Sequence, residues 1–252
     1  MASLQISDVI FKDNIAQEGA AIFFQSLEGG RQLLNNIVID FKFGSLDLEI
    51  PVQSQIHSTY AGLAIQNITV VDLTTPFLSH NGGGMEIDGL YMKNITCRSS
   101  TVTFSFCIFE LVLNAGETLD FSLNNFTLVE VDTVAPLIVS QGATLSLTSV
   151  DISDIRSTAN VSVAMLNDSS IELHKVNLLN ITSTFITATN CHMKISETIF
   201  SNENQTNLVS PNTFTQFIVM SNSEILVTSS EFTFNSISSP SYGGVIFPHF
   251  LC

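Results

Sequence analysis

One short pattern recurs along the chain and limits what it can fold into. LQISDVIFKDN (4–14), MEIDGLYMKN (85–94), LSLTSVDISD (145–154), IELHKVNLLN (171–180), MKISETIFSNE (193–203) and ILVTSSEFTFN (225–235) share a plan. An apolar residue is followed by any residue, a second apolar one, about four more positions, another apolar one, and then Asn, Asp or Glu. LAIQN (63–67) and FSLNN (121–125) read as the second half of the same unit. A further polar residue stands 13 positions before the closing one: Asn81 before Asn94, Gln141 before Asp154, Asn167 before Asn180, Asn190 before Glu203, and Asn222 before Asn235.

The starts at 4, 85, 145, 171, 193 and 225 are 81, 60, 26, 22 and 32 residues apart. Taking the first two gaps as three units and two gives about 28 residues per repeat and about nine repeats. Apolar spacing inside each unit is two and breaks at Asn, Gly or Ser after three to five residues, which excludes a helical solenoid. So short a unit cannot bury its own apolar face, but units stacked on one another bury a continuous core. The expected fold is all-β: a right-handed single-stranded parallel β-helix, continuous over residues 1–252, each coil adding a strand to two or three parallel sheets. At ~4.8 Å per coil, nine coils make a rod of roughly 40 Å. An antiparallel β-sandwich is the alternative, but it gives no reason for the 13-residue offset.

The composition suits such stacking. Ser, Thr and Asn number 31, 23 and 20, against 8 Lys+Arg and 23 Asp+Glu, a net charge of −15. Like charges repel in a ladder, whereas Ser, Thr and Asn stack without that cost, and Asn tolerates left-handed turns. Eight basic residues cannot neutralise a run of phosphates, which excludes nucleic acid as a partner. They exclude a basic membrane-surface helix as well. No run of about 18 apolar residues exists to span a membrane, so no direct membrane insertion is expected. MASLQISDVIF lacks the basic-then-apolar build of a signal peptide. Cys97, Cys107, Cys191 and Cys252 form no CxxC pair, so zinc is not expected. They read as buried thiols or, for the first two, as a Cys97–Cys107 disulfide.

The first repeat reads FKDNIAQEGAAIF (11–23) and the last EFTFNSISSPSYGGVIF (231–247). These resemble the FxxN…GGAI repeat of the polymorphic outer membrane protein family, through Phe11, Asn14, Gly19 and Ile22 and through Gly243, Gly244 and Ile246. Ala20 replaces the second glycine of the first repeat, and Phe234-Asn235 lacks the two-residue gap of the last. The resemblance implies a β-helical surface protein and brings no catalytic residues with it.

Seven N-x-[ST] acceptors occur: Asn67, Asn94, Asn125, Asn160, Asn167, Asn180 and Asn204. Asn67, Asn94, Asn125 and Asn180 read as one repeat position, followed by Ile-Thr or Phe-Thr. Two readings stand: N-glycosylation of a secreted protein, with glycans aligned along one edge, or a Thr that is simply an outward strand residue.

No catalytic constellation can be assembled. Two-carboxylate chemistry needs acids grouped on one face, but Asp151 and Asp154 fall at opposite ends of a strand and turn. Glu86 and Asp88 share a face with Lys93 not far off, and Glu172, His174 and Lys175 lie coils away. His80, in SHNGGG, has no Arg or paired Asp beside it. No catalytic, metal or cofactor residue is expected, and three tyrosines (Tyr60, Tyr91, Tyr242) without Trp offer little platform for sugars. The expected function is non-enzymatic: a structural or adhesive β-helix, extracellular or on the cell surface. A carbohydrate-binding or pectate-lyase-like carbohydrate-active β-helix is the alternative function, and an intracellular structural assembly the alternative setting. Neither end carries a recognisable cap. The expected partners are therefore further copies stacked end to end as a filament, or flanking segments of the same polypeptide, with glycans as further candidates.

Overall fold

The computed structural model describes residues 3–12, 21–25, 31–40, 54–59, 62–97, 105–113, 119–157, 161–181, 183–202, 218–234 and 246–249, and among these there is no helix. The chain passes alternately through two parallel sheets. The long sheet runs β1 (Ser3–Lys12), β3 (Arg31–Asp40), β5 (Gly62–Val71), β7 (Met85–Cys97), β9 (Asp120–Thr133), β11 (Thr144–Ser157), β13 (Ser170–Ile181), β15 (His192–Ser196) and β18 (Glu224–Thr228). Beside its last strands lie β16 (Ile199–Asn202) and β19 (Glu231–Phe234). The short sheet runs β2 (Ile22–Gln25), β4 (Ile56–Thr59), β6 (Leu78–Asn81), β8 (Phe109–Val112), β10 (Ile138–Gln141), β12 (Ala164–Asn167), β14 (Ile186–Thr189), β17 (Ile218–Ser221) and β20 (Ile246–His249).

The repeat starts fall on one register row: Leu4, Gln32, Leu63, Met85, Phe121, Leu145, Ile171, Met193 and Ile225. LAIQN and FSLNN therefore open their units, which corrects their reading as the second half. Strands β7, β9, β11 and β13 are 12–14 residues long, longer than the three to five expected. Left-handed residues set inside them explain the difference. Each bends the strand while the ladder resumes on both sides. They stack in rows. One corner is built from Asp8, Asn36, Asn67, Gly89, Asn125, Ser149, Lys175, Glu197 and Ser229, every one at positive φ. A second holds Asp72, Asn94, Glu130, Asp154 and Asn180, and a third, after the short sheet, Gly82, Gly142, Asp168, Asn190 and Asn222. Among the described residues the 13-residue offset runs from the residue before the third corner (Asn81, Gln141, Asn167) to the second (Asn94, Asp154, Asn180); Glu203 and Asn235 lie outside the described residues.

Two kinds of bond clamp corner to corner. Asn side chains donate from Nδ2 to a carboxylate one coil earlier: Asn36 to Asp8 at 2.9 Å, Asn94 to Asp72 at 2.5 Å, Asn180 to Asp154 at 3.0 Å, and Asn190 to Asp168 at 3.0 Å. These four aspartates thus serve as acceptors in a ladder of amides. In addition, the residue after a left-handed one donates its hydroxyl back across the corner. Ser169 bonds Asn167 O, Thr198 bonds Ser196 O, Ser223 bonds Ser221 O, and Ser230 bonds Thr228 O. These hydroxyl oxygens in turn accept an amide N–H from the coil before: Cys191 N–H donates to Ser223 Oγ at 2.9 Å and Thr198 N–H to Ser230 Oγ at 3.2 Å. Cys191 takes the hydroxyl's place in its own coil, its thiol donating to Thr189 O at 3.1 Å. Burial pushes that thiol's pKa up, outweighing the hydrogen bonds that lower it.

Inward positions alternate with these and fill the core. On the short sheet one row runs Ile22, Ile56, Leu78, Phe109, Ile138, Ala164, Ile186 and Ile218, all buried. Each large aliphatic side chain so buried contributes about 1.5–3 kcal/mol. Connections from the long sheet to the short one range from 4 residues (after Thr133) to 15 (after Asp40). Return connections such as Gln141 to Thr144 have only two intervening residues. The disulfide Cys97–Cys107, Cα–Cα 5.7 Å, closes one of the longer excursions, and a loop of that size stabilises by roughly 2.5–3 kcal/mol in the chain-entropy account.

Gly89 shows how tight the first corner is. With φ +75°, a Cβ there would lie 2.9 Å from Asn67 Oδ1. Gly89→Ala is expected to destabilise the chain by about 1–2 kcal/mol. An unchanged thermal midpoint would show that the corner has room to give.

Candidate functional site

The outward side of the long sheet carries a register row of Thr69, Tyr91, Thr127, Asp151, Asn177 and Ile199. It runs parallel to the first corner, where Gly89, Asn125, Ser149 and Lys175 stack. Between the two lies an open groove of about 370 Å³ lined by Asn125, Thr127, Ser149, Asp151 and Lys175. The corner row brings residues from three coils together because each left-handed bend places the next side chain directly over the last.

The lining is polar throughout. Asn125 is anchored by Nδ2 to Asp88 Oδ1 at 2.7 Å. Lys175 lies 4.0 Å from Glu197, with both side chains more than half exposed, so this pair holds the ammonium only loosely. Asp151 is exposed, and Thr127 half-buried. One cation, one anion, one amide and two hydroxyls supply donors and acceptors together. Tyr91 stands exposed one coil before Thr127, and Ile199 exposed two coils beyond Asp151. Four coil steps of ~4.8 Å separate the two, about 19 Å.

Opposite charges, not merely neutral residues, occupy neighbouring coils elsewhere on this sheet. Lys194 Nζ meets Glu172 Oε1 at 2.6 Å and Lys93 meets Glu130 at 3.8 Å, while the imidazole of His192 lies 3.3 Å from a Glu224 carboxylate oxygen. Among the described residues no group of three or more His, Cys, Asp or Glu is placed to hold a metal ion.

The sequence-predicted residues separate. Asn67 and Asn125 belong to the first corner, but Asn94 and Asn180 to the second, which corrects their reading as one position. Both corners favour Asn for the same left-handed φ, so the residue type alone cannot tell them apart. Asn167 sits beside Asp168 in the third corner and donates to it at 3.1 Å; Asn160 and Asn204 lie outside the described residues. Of the repeat motif, Phe11 is half-buried and Ile22 buried. Ile246 starts β20, and Asn14, Gly19, Gly243 and Gly244 lie outside the described residues, as does Cys252. His80 points inward and is fully buried, with no hydrogen-bond partner for either ring nitrogen among the described residues. The groove went unrecognised because its residues are far apart in sequence and meet only through register.

No family model matches the chain, and no curated protein matches it. Among solved structures, it is similar to a DFA-IIIase from Arthrobacter chlorophenolicus A6, solved without its lid, at 13% identity and a TM-score of 0.40. That likeness covers 84% of this chain and 63% of the other, so the chain spans less than two thirds of the length of that enzyme. It is also similar to the Streptococcus pneumoniae surface protein and adhesin PfbA, at 9% identity and a TM-score of 0.27, over 95% of this chain and 85% of that one. One expectation is corrected here. The lack of a catalytic cluster predicted a non-enzyme, but the first of these structures is an enzyme, and enzymatic activity is no longer excluded. The likeness assigns neither reaction nor substrate. No helix among the described residues is long and apolar enough to cross a membrane.

Proposed function

We propose that this chain is a surface β-helix that binds saccharides in the groove over Asn125, Thr127, Ser149, Asp151 and Lys175. The observation that carries the reading is a groove of mixed donors and acceptors in line with an exposed tyrosine. Sugar hydroxyls both donate and accept. Asp151 accepts from them, Lys175 donates to them, Asn125 offers an acceptor oxygen beside its anchored amide, and Thr127 and Ser149 do either. Tyr91 offers a flat face with a polar tip. With one cation and one anion, the groove suits a neutral saccharide better than a polyanion.

The two parallel sheets stacked coil on coil support this reading; as part of the same proposal, the fold is a right-handed single-stranded parallel β-helix of about nine coils of about 28 residues, carrying FxxN…GGAI-type repeats. The Cys97–Cys107 disulfide favours an oxidising compartment, in keeping with an extracellular or cell-surface place. Strands β1 and β18 each pair on one side only among the described residues. Such edges suit stacking on a second copy or on flanking segments.

The test is a printed array of neutral and acidic oligosaccharides. Binding to neutral members is expected, and Tyr91→Ala and Asp151→Asn should each weaken it about tenfold or more, about 1.4 kcal/mol. Release of shortened products from a bound oligosaccharide reads cleavage in the same incubation. An array without signal, or a signal that neither substitution moves, would sink the reading.

A further inference from the structure

We infer that Asn125 is a glycosylated asparagine and that its glycan lies along the groove and masks it; the masking rests on the groove being a saccharide site. Asn125-Phe126-Thr127 is an N-glycosylation acceptor in which both the asparagine and the threonine line the groove. Its neighbours in the corner row set it apart from Asn67 and Asn94. Gly89 lies on one side and Ser149 on the other, so neither adjoining coil puts bulk beside it. Asn94 stands between Asp72 and Glu130. Asn67 has Gly89 packed so closely that even a Cβ there would meet its amide oxygen.

The chemistry requires an amide hydrogen that can be replaced. Asn125 Nδ2 attacks C1 of an oligosaccharide carried on a polyprenyl diphosphate. The N–C bond forms, the C–O bond to diphosphate breaks, the diphosphate leaves with the electron pair, and the amide gives up one proton. One N–H remains. In the folded chain it is the hydrogen that bonds Asp88 Oδ1 on the preceding coil at 2.7 Å, while the groove opens over the following coils. The sugar therefore extends toward Ser149 and Lys175, over the positions an external saccharide would take. Glycosylation at this one corner would then set whether the surface is available.

The full chain made in a eukaryotic secretory host is compared with the chain made in a host without N-glycosylation. Peptide mass mapping is expected to find Asn125 occupied. Acylation of the Lys175 amine, measured against Lys93 outside the groove, should slow at least fivefold in the glycosylated form. Signal on a printed array of neutral oligosaccharides should fall at least tenfold and return when an endoglycosidase trims the glycan to one sugar. Asn125 unmodified while other acceptors carry glycans would overturn the inference. So would equal Lys175 labelling in the two forms, or a glycosylated chain that keeps its full array signal. If the unglycosylated chain itself gives no array signal, the saccharide reading and the masking fall. Occupancy and Lys175 protection would still stand or fall on their own readouts.

Discussion

Phe109→Ala is expected to lower stability by about 3–5 kcal/mol, the range for emptying a buried aromatic site, and the thermal midpoint by roughly 10 °C. Phe109 sits on β8 in the middle of the short sheet and is fully buried. Its ring meets Phe121 at 5.3 Å between centroids, and Phe77 and Phe126 at 6.1 Å each. Two of these three partners lie on β9, so the ring joins the two sheets across the core. Nothing nearby is free to collapse into the space, because β6 and β10 are fixed on either side by their ladders. Met165→Ala, on the outward side of the same sheet, is expected to change stability by no more than about 0.5 kcal/mol. Calorimetry on both variants decides the matter. A Phe109→Ala chain that melts with the parent would mean that the sheets are not joined through this cluster.

Acid is expected to weaken the fold as the pH falls below about 6.5. His80 occupies an inward position between Ser58 and Leu111 in the short-sheet ladder. Burial lowers its pKa from 6.5 to about 4, with the charge of His57 adding to the drop. The backbone of Gly83 opposes part of it, without reaching good hydrogen-bond geometry. The folded state thus holds the ring neutral, while the unfolded chain binds a proton below pH 6.5. Stability from this group is complete above 6.5 and declines as pH falls toward 4. Between pH 7.5 and pH 5 the loss comes to about 2 kcal/mol, and over the whole window to roughly 3 kcal/mol. His80→Leu, matching Leu111 in the next coil, should abolish this dependence and leave the neutral-pH fold at least as stable, since it removes two unpartnered buried nitrogens. Urea unfolding at pH 7.5 and pH 5 gives the comparison. A variant that loses as much between the two as the parent would place the acid sensitivity elsewhere.

The strand plan was legible because two signals coincide in it. Leu145, Leu147, Val150 and Ile152 alternate with polar residues and are all buried, and Asp154 closes the unit at a left-handed corner. Gln32 is a polar residue on the buried row, so its coil gave no apolar start to find. The first corner was hidden for a different reason. Ser149, Lys175 and Glu197 adopt left-handed φ there although none has a strong preference for it; the coils on either side hold them. A groove made of such residues carries no motif, because stacking selects them and not local conformation.

The uneven connections have a consequence for how a chain of this kind can change. One extra residue inside β9 would turn every later side chain of that strand to the opposite face. An insertion after Thr133 or Asp40 meets no such rule, since the next short strand begins afresh and the corners restore the phase. Doubling such an excursion costs only about 0.6 kcal/mol in closure entropy. The left-handed rows therefore act as a reading frame for the solenoid. Novelty can accumulate along one edge without being copied as an error into the coils that follow.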